Sequence, residues 1–255
     1  LLIDFIGYYP FFFLVGGLVA VIGLIGVSKT RESTELEPLE INTFQHLKNT
    51  FKKKSSVNYK QFILVLLVIA GWNIGLNVFF PYLIIYLRYT LGGLNSALIV
   101  NFVALVVSII LSYPLSKLTN KLGRKKMTLI STLLFSMGVF FVGLAPELIT
   151  LLISGTLTFV FYAALSISTF TWVKDLYPEE GRGQFSGYWN LFAGTIPMII
   201  GPIIGSIIST LYGVTSLDEY GRTIFIPPNL LFIVAAFVTL FTLIPLIFAK
   251  EIKVK

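Results

Sequence analysis

The chain has 255 residues, of which 56% are hydrophobic and only 12% charged, against about 25% charged in an ordinary soluble domain. With a mean hydropathy of +0.87, this composition excludes a soluble globular fold and points to an integral membrane protein. The absence of cysteine and the single histidine exclude disulfide scaffolds, thiolate chemistry and a His/Cys metal cluster, and the net charge of +7 carries meaning only through its placement.

Uncharged windows run over 5–28, 61–87, 89–116, 127–146, 148–173, 183–217 and 223–249. Each exceeds the ~18 apolar residues that mark a spanning helix. Backbone groups in hydrocarbon must bond to one another, so windows of this length predict helices, whereas a barrel would show ~10-residue alternating segments. The expected fold is therefore all-α and membrane-embedded, with seven transmembrane helices. The first window is followed by a polar segment, 29–60. Its first part, SKTRESTELEPLE, reads as a linker. Its second part places Ile41, Phe44, Leu47 and Phe51 at helical spacing among lysines, as in a short amphipathic helix on a membrane surface. The one histidine, His46, lies here without the companions that a metal site needs. Later connections are short: LTNKLGRKKM and KDLYPEEGRG on one side, and segments near RYTLGG, PEL and VTSLDEYGRTIFIPPN on the other.

Of the 19 Lys and Arg residues, all but Arg88 and Arg222 fall on one side of these spans. The positive-inside rule puts that side in the cytoplasm. The expected protein is a multi-pass plasma-membrane protein with its C-terminus in the cytoplasm. Its basic charge is accounted for by topology, with the lipid bilayer and not nucleic acid as the partner. The opening LLIDFIGYYP has no basic n-region and does not read as a signal peptide.

Phe13–Ile25 reads FLVGGLVAVIGLI and Phe232–Ile244 reads FIVAAFVTLFTLI, in register over 13 positions at an offset of 219. If the first and last spans are equivalent elements of two repeats, residues 1–28 are the last span of an N-terminal half whose first five spans are absent. Residues 29–60 are then the linker between halves, and 61–255 a complete six-helix C-terminal half with its tail.

Two inner loops carry motifs. SKLTNKLGRKK resembles the signature loop of the major facilitator superfamily of transporters: glycine, three residues, aspartate, a basic residue, any residue, glycine and two basic residues. Lys121, Gly123, Arg124 and Lys125 match, while Ser116 and Asn120 replace the first glycine and the aspartate. Two spans later, Asp175 and Arg182 lie six residues apart around Pro178, similar to the acid-x6-Arg element of the same family. The resemblance covers essentially the whole chain and implies a twelve-helix facilitator fold. It further implies a charge latch at the inner end built from Asn120, Lys121, Gly123, Arg124, Lys125, Asp175 and Arg182. The longer pattern Asp175, Pro178, Arg182, Gly183, Ser186, Gly187 looks like the sugar and glycoside transporters of that superfamily.

Polar and indole side chains deep in the spans face a cavity or another helix. The candidates for a small-molecule substrate are Trp72, Asn73, Asn77, Asn101, Tyr162, Trp189 and Asn190. Amides suit hydroxyl groups and indoles suit a sugar face. Thr158 and Ser166 share a stripe with Tyr162. In the window at 183–217, Gly201 and Gly205 form a GxxxG face with Pro197 and Pro202 beside it, the pattern of close helix packing with a kink. No Asp, Glu, Lys, Arg or His lies mid-window, so no cofactor is implied, and a coupling proton or sodium ion for symport would need an acid from the absent half. The alternatives are a drug or metabolite exporter of the same superfamily and a seven-helix receptor. An enzyme is not expected, since no nucleophile with a base or paired buried carboxylates is present.

Overall fold

The computed structural model describes residues 8–28, 57–176, 182–217 and 223–251. The amphipathic segment around 41–51 with His46, the acids Glu179 and Glu180, Arg222 and the tail beyond 251 lie outside them. The chain divides into two compact units, Leu1–Lys53 and Lys54–Lys255. The first contains helix α1, Tyr8–Ser28.

The second unit is a bundle in which three of the six described spans are broken helices. Helix α2 (Val57–Phe79) starts four residues before the expected window at 61, and passes through one 3₁₀ turn, Phe80–Tyr82, into α3 (Leu83–Thr90). Pro81 sits in that turn and lacks the N–H that a continuous ladder needs. Helix α4 is Leu94–Leu122, with Pro114 inside it, and α5 is Arg124–Leu144. Only Gly123 separates them, at φ +89°, a backbone conformation that side chains with a Cβ rarely adopt. Helix α6 (Leu148–Asp175) opens with a capping box between Glu147 and Thr150. Helix α7 (Arg182–Asn190) leads through a π-helical turn, Leu191–Thr195, into α8 (Ile196–Tyr212). The last span is α9 (Leu230–Leu240) and α10 (Leu243–Phe248), broken at Phe241 and Thr242.

Six helical stretches are long and apolar enough to cross a bilayer, and the apolar stretch Gly16–Ser28 of α1 is shorter, so the described residues contain six such spans where seven are expected. Two boundaries also move. Helix α4 runs on through the expected loop, which puts Asn120 and Lys121 in its last turn. The windows at 183–217 and 223–249 both include residues that form an antiparallel hairpin, β1 (Val214–Leu217) paired with β2 (Thr223–Ile226), Val214 opposite Ile226. Gly213 before it and Pro227 and Pro228 after it end the helices, and the β-branched residues between favour strand.

In a bilayer, lipid is as apolar as a leucine side chain, so close packing and interhelical hydrogen bonds hold a bundle together. Buried Ser136 donates to the carbonyl of Ala236 at 2.9 Å, tying α5 to α9. Thr128 and Ser168 bond at 3.1 Å between α5 and α6. Helix α8 lies against α2: a Cβ added at Gly201 would stand 2.5 Å from the Cβ of Asn77, and one at Gly205 would meet the carbonyl of Val78 and the ring of Tyr82. Pro197, Gly201 and Gly205 are buried in this contact, and Pro202 lies inside α8. Two cores result. One surrounds Trp72, Phe79, Phe135 and Phe232. The other surrounds Phe62, Leu66, Trp172 and Leu246 at the basic end.

Candidate functional site

At the basic end, the positive φ of Gly123 lets α5 begin directly after α4, so the Arg124 side chain reaches the end of α6. Its Nε lies 2.8 Å from Oδ2 of Asp175, both side chains being about a quarter to a third exposed. The N–H is not aligned on the carboxylate, so this is an ion pair by distance and not a directed hydrogen bond. Lys125 is occupied elsewhere: its Nζ donates to the carbonyls of Ile247 at 3.0 Å and Ala249 at 2.6 Å, where it meets the unsatisfied carbonyls at the end of α10. Sequence spacing left Arg124 and Lys125 equivalent as partners of Asp175, and the structure separates them. Lys121 and Asn120 are exposed on α4. Arg182 is the first residue of α7, and its side chain is outside the described residues.

A partner not anticipated from sequence completes this end. The Glu251 carboxylate accepts from the backbone N–H of Arg124 at 2.9 Å and of Lys125 at 3.3 Å. An anion there satisfies orphan donors and meets the positive end of the α5 dipole. A Cβ at Gly123 would stand 2.7 Å from Glu251 Oε2, so this glycine serves both the turn and the cap. The neighbouring Lys250 N–H donates to Gln61 Oε1 at 2.6 Å, joining the tail to α2. The only local signal was an acid beside the last basic cluster. Glu251→Ala is expected to cost about 1 kcal/mol of stability and to lower the melting temperature by about 2–4 °C, with Glu251→Gln intermediate, as read by thermal unfolding in detergent.

Deeper in the unit, where the two cores meet, is a cavity of about 450 Å³ lined by Ile69, Trp72 and Asn73 of α2, by Tyr162, Ser166, Ile167, Thr169 and Phe170 of α6, and by Trp189, Asn190, Ala193 and Gly194. No lining residue is Asp, Glu, Lys, Arg or His. The rings form edge-on pairs, Trp72 with Tyr162 at 5.8 Å and Phe170 with Trp189 at 5.3 Å between centroids, a geometry that aligns positive ring edges with negative faces. Five of the seven candidate substrate residues, Trp72, Asn73, Tyr162, Trp189 and Asn190, are thus brought together. Asn77 and Asn101 are not among the lining residues. Asn77 donates to the carbonyl of Asn73 at 2.9 Å and lies under Gly201. Thr158 is buried against Gly138 and donates to Ser154 at 2.8 Å, leaving Tyr162 and Ser166 as the part of its stripe that reaches the cavity. The Asn73 amide donates to the carbonyl of Ile69 at 2.9 Å, which leaves its oxygen free of that bond. Phe170, Ile69 and Thr169 carry no polarity out of the ordinary, and the sequence singled out none of them.

Comparison with known proteins agrees with this architecture. The chain is 30% identical over 105 residues, 41% of its length, to "Multidrug resistance protein 3" of Bacillus subtilis (strain 168). The aligned stretch spans 20% of that relative. A family model described as Major Facilitator Superfamily matches residues 63–254. That match runs from within α2 through α10, so this multi-pass membrane chain belongs to the Major Facilitator Superfamily.

Proposed function

We propose that the chain forms part of a secondary transporter that moves a small uncharged solute by alternating access, with the cavity between α2, α6 and α7–α8 as one wall of the substrate site. The observation that carries this reading is the cavity itself: it is aromatic-walled, contains two asparagines and has no charge on its lining. A glycoside suits such a wall, since its hydroxyls bond amides and its ring or aglycone lies on aromatic faces. Coupling between cavity and inner end has a physical path. Lys174 Nζ stands 4.2 Å from the Phe170 ring centroid, Phe170 packs on Trp189, and Asp175 is the next residue after Lys174. A change at the Arg124–Asp175 pair therefore reaches the lining within two turns of α6. On this reading the basic end faces the cytoplasm, and residues 1–28 and 29–60 come from the preceding half and the linker.

A second reading, export of an aromatic drug-like solute, is favoured by the printed name of the relative and by the four aromatic rings of the cavity. Uptake and efflux assays on the full-length protein with phenyl glucoside and with ethidium separate the two. In either case Trp189→Ala is expected to raise KM about fivefold to tenfold, the worth of one aromatic contact. Asn190→Ala should raise it by a similar factor, the worth of one hydrogen bond, while Asn101→Ala changes it by less than about twofold. Equal KM values in all three variants would place the substrate elsewhere.

A further inference from the structure

Of the glycines between Arg182 and Tyr212, two are accounted for by packing, and of the others whose surroundings are described, Gly187 and Gly194, only Gly194 lines the cavity. Gly201 and Gly205 let α8 approach α2, since a Cβ at either would collide with Asn77, Val78 or Tyr82. Gly194 is different. It lines the cavity, yet a Cβ built on it would meet no atom within 4 Å. Its φ is not positive, the described glycines with positive φ being Gly92 and Gly123. Neither close approach nor backbone geometry asks for glycine there, and glycine is among the least favourable residues within a helix. What its missing side chain provides is room.

Gly194 lies within the π-helical turn that joins α7 to α8. Leu191–Thr195 is wound with one more residue per turn than an α-helix, which changes the rotation of α7 relative to α8. Trp189, Asn190, Ala193 and Gly194 share one face at i, i+1, i+4 and i+5 and all line the cavity, while α8 presents Gly201 and Gly205 to α2. The small pair Ala193 and Gly194 thus shares the lining with four aromatic side chains, Trp72, Tyr162, Phe170 and Trp189.

We propose that Gly194 is a specificity-determining position: the vacant space in front of it is the part of the substrate site that admits the bulky apolar portion of the solute, an aromatic aglycone or a comparable ring system, and so sets the upper size of what is carried. This rests on the transport reading above. It separates Gly194 from the packing glycines Gly201 and Gly205 of the same span.

The test uses the chain's lack of cysteine. In the full-length protein, with any cysteine elsewhere replaced by serine, Asn190→Cys supplies a thiol on the cavity wall. Its labelling rate is measured with ethyl and benzyl methanethiosulfonate, with Gly194 intact and with Gly194→Leu. The expected result is that Gly194→Leu slows the benzyl reagent at least about tenfold and the ethyl reagent less than about twofold, as a size filter does, with no fall in melting temperature. Equal slowing of both reagents, no slowing of either, or a lowered melting temperature would overturn the proposal by making Gly194 a packing position or an uninvolved one. Failure of the underlying reading shows separately, as complete labelling of Asn190→Cys with unchanged flux of both phenyl glucoside and ethidium.

Discussion

Gly201→Leu is expected to destabilise the bundle by about 3 kcal/mol or more, the upper range for overpacking a tight interface. The reason is geometric. A Cβ at Gly201 would stand 2.5 Å from Asn77 Cβ and 2.7 Å from the Asn77 carbonyl carbon, so the obstacle includes backbone that no rotamer change can move. Helix α8 would have to withdraw from α2, taking with it the close approach at Gly205 and the contact between the Tyr82 hydroxyl and the Pro202 carbonyl at 3.4 Å. Since bundle packing in lipid rests on such contacts, a fall in melting temperature of about 6–12 °C follows for a unit of this size. Purified protein in detergent, unfolded thermally beside Gly194→Leu as the control, measures it. A Gly201→Leu protein that melts with the native one would refute the tight α2–α8 contact.

Arg124→Gln and Asp175→Asn are each expected to slow transport by the full-length protein about twofold to fivefold while leaving KM within about twofold, since a part-exposed pair contributes at most about 1 kcal/mol. The pair joins the start of α5 to the end of α6 within one compact unit. On the proposed reading its effect is to hold the basic end of that unit in one arrangement, and a transporter exchanging between two states responds to a bias of this size. The unaligned geometry of the contact places the effect at the smaller end. The exchanged double variant, Arg124→Asp with Asp175→Arg, should recover part of the rate. Lys125→Met is expected to behave otherwise, lowering the melting temperature more than the rate, because Lys125 holds the carbonyls at the end of α10. Initial-rate measurements in proteoliposomes decide it, and native rates in both single variants would remove Asp175 from any latch.

Much of the architecture was legible because a bilayer imposes it locally. The length and apolarity of a window are properties of consecutive residues, and so are the lysines and arginines that flank it. The spacing of Lys121, Gly123, Arg124 and Lys125, and of Asp175 and Arg182, was enough to point to the family. The hairpin at 214–226 was less legible, since its residues are as apolar as a span and only Gly213 and the two prolines mark them off. Glu251 was not legible as a cap, because the helix it caps begins 127 residues earlier.

By itself, then, the sequence determined that this chain crosses a membrane as a helical bundle, which loops are basic, and which family those loops resemble. The tertiary structure decided which mid-span polar residues share a cavity, and which cation stands beside Asp175. The reason lies in the packing between spans. A 3.6-residue period predicts which residues share a face, as Asn73 and Asn77 do and as Asn190 and Gly194 do, but it does not say what covers that face: Asn73 lines the cavity while Asn77, one turn further on, lies under α8.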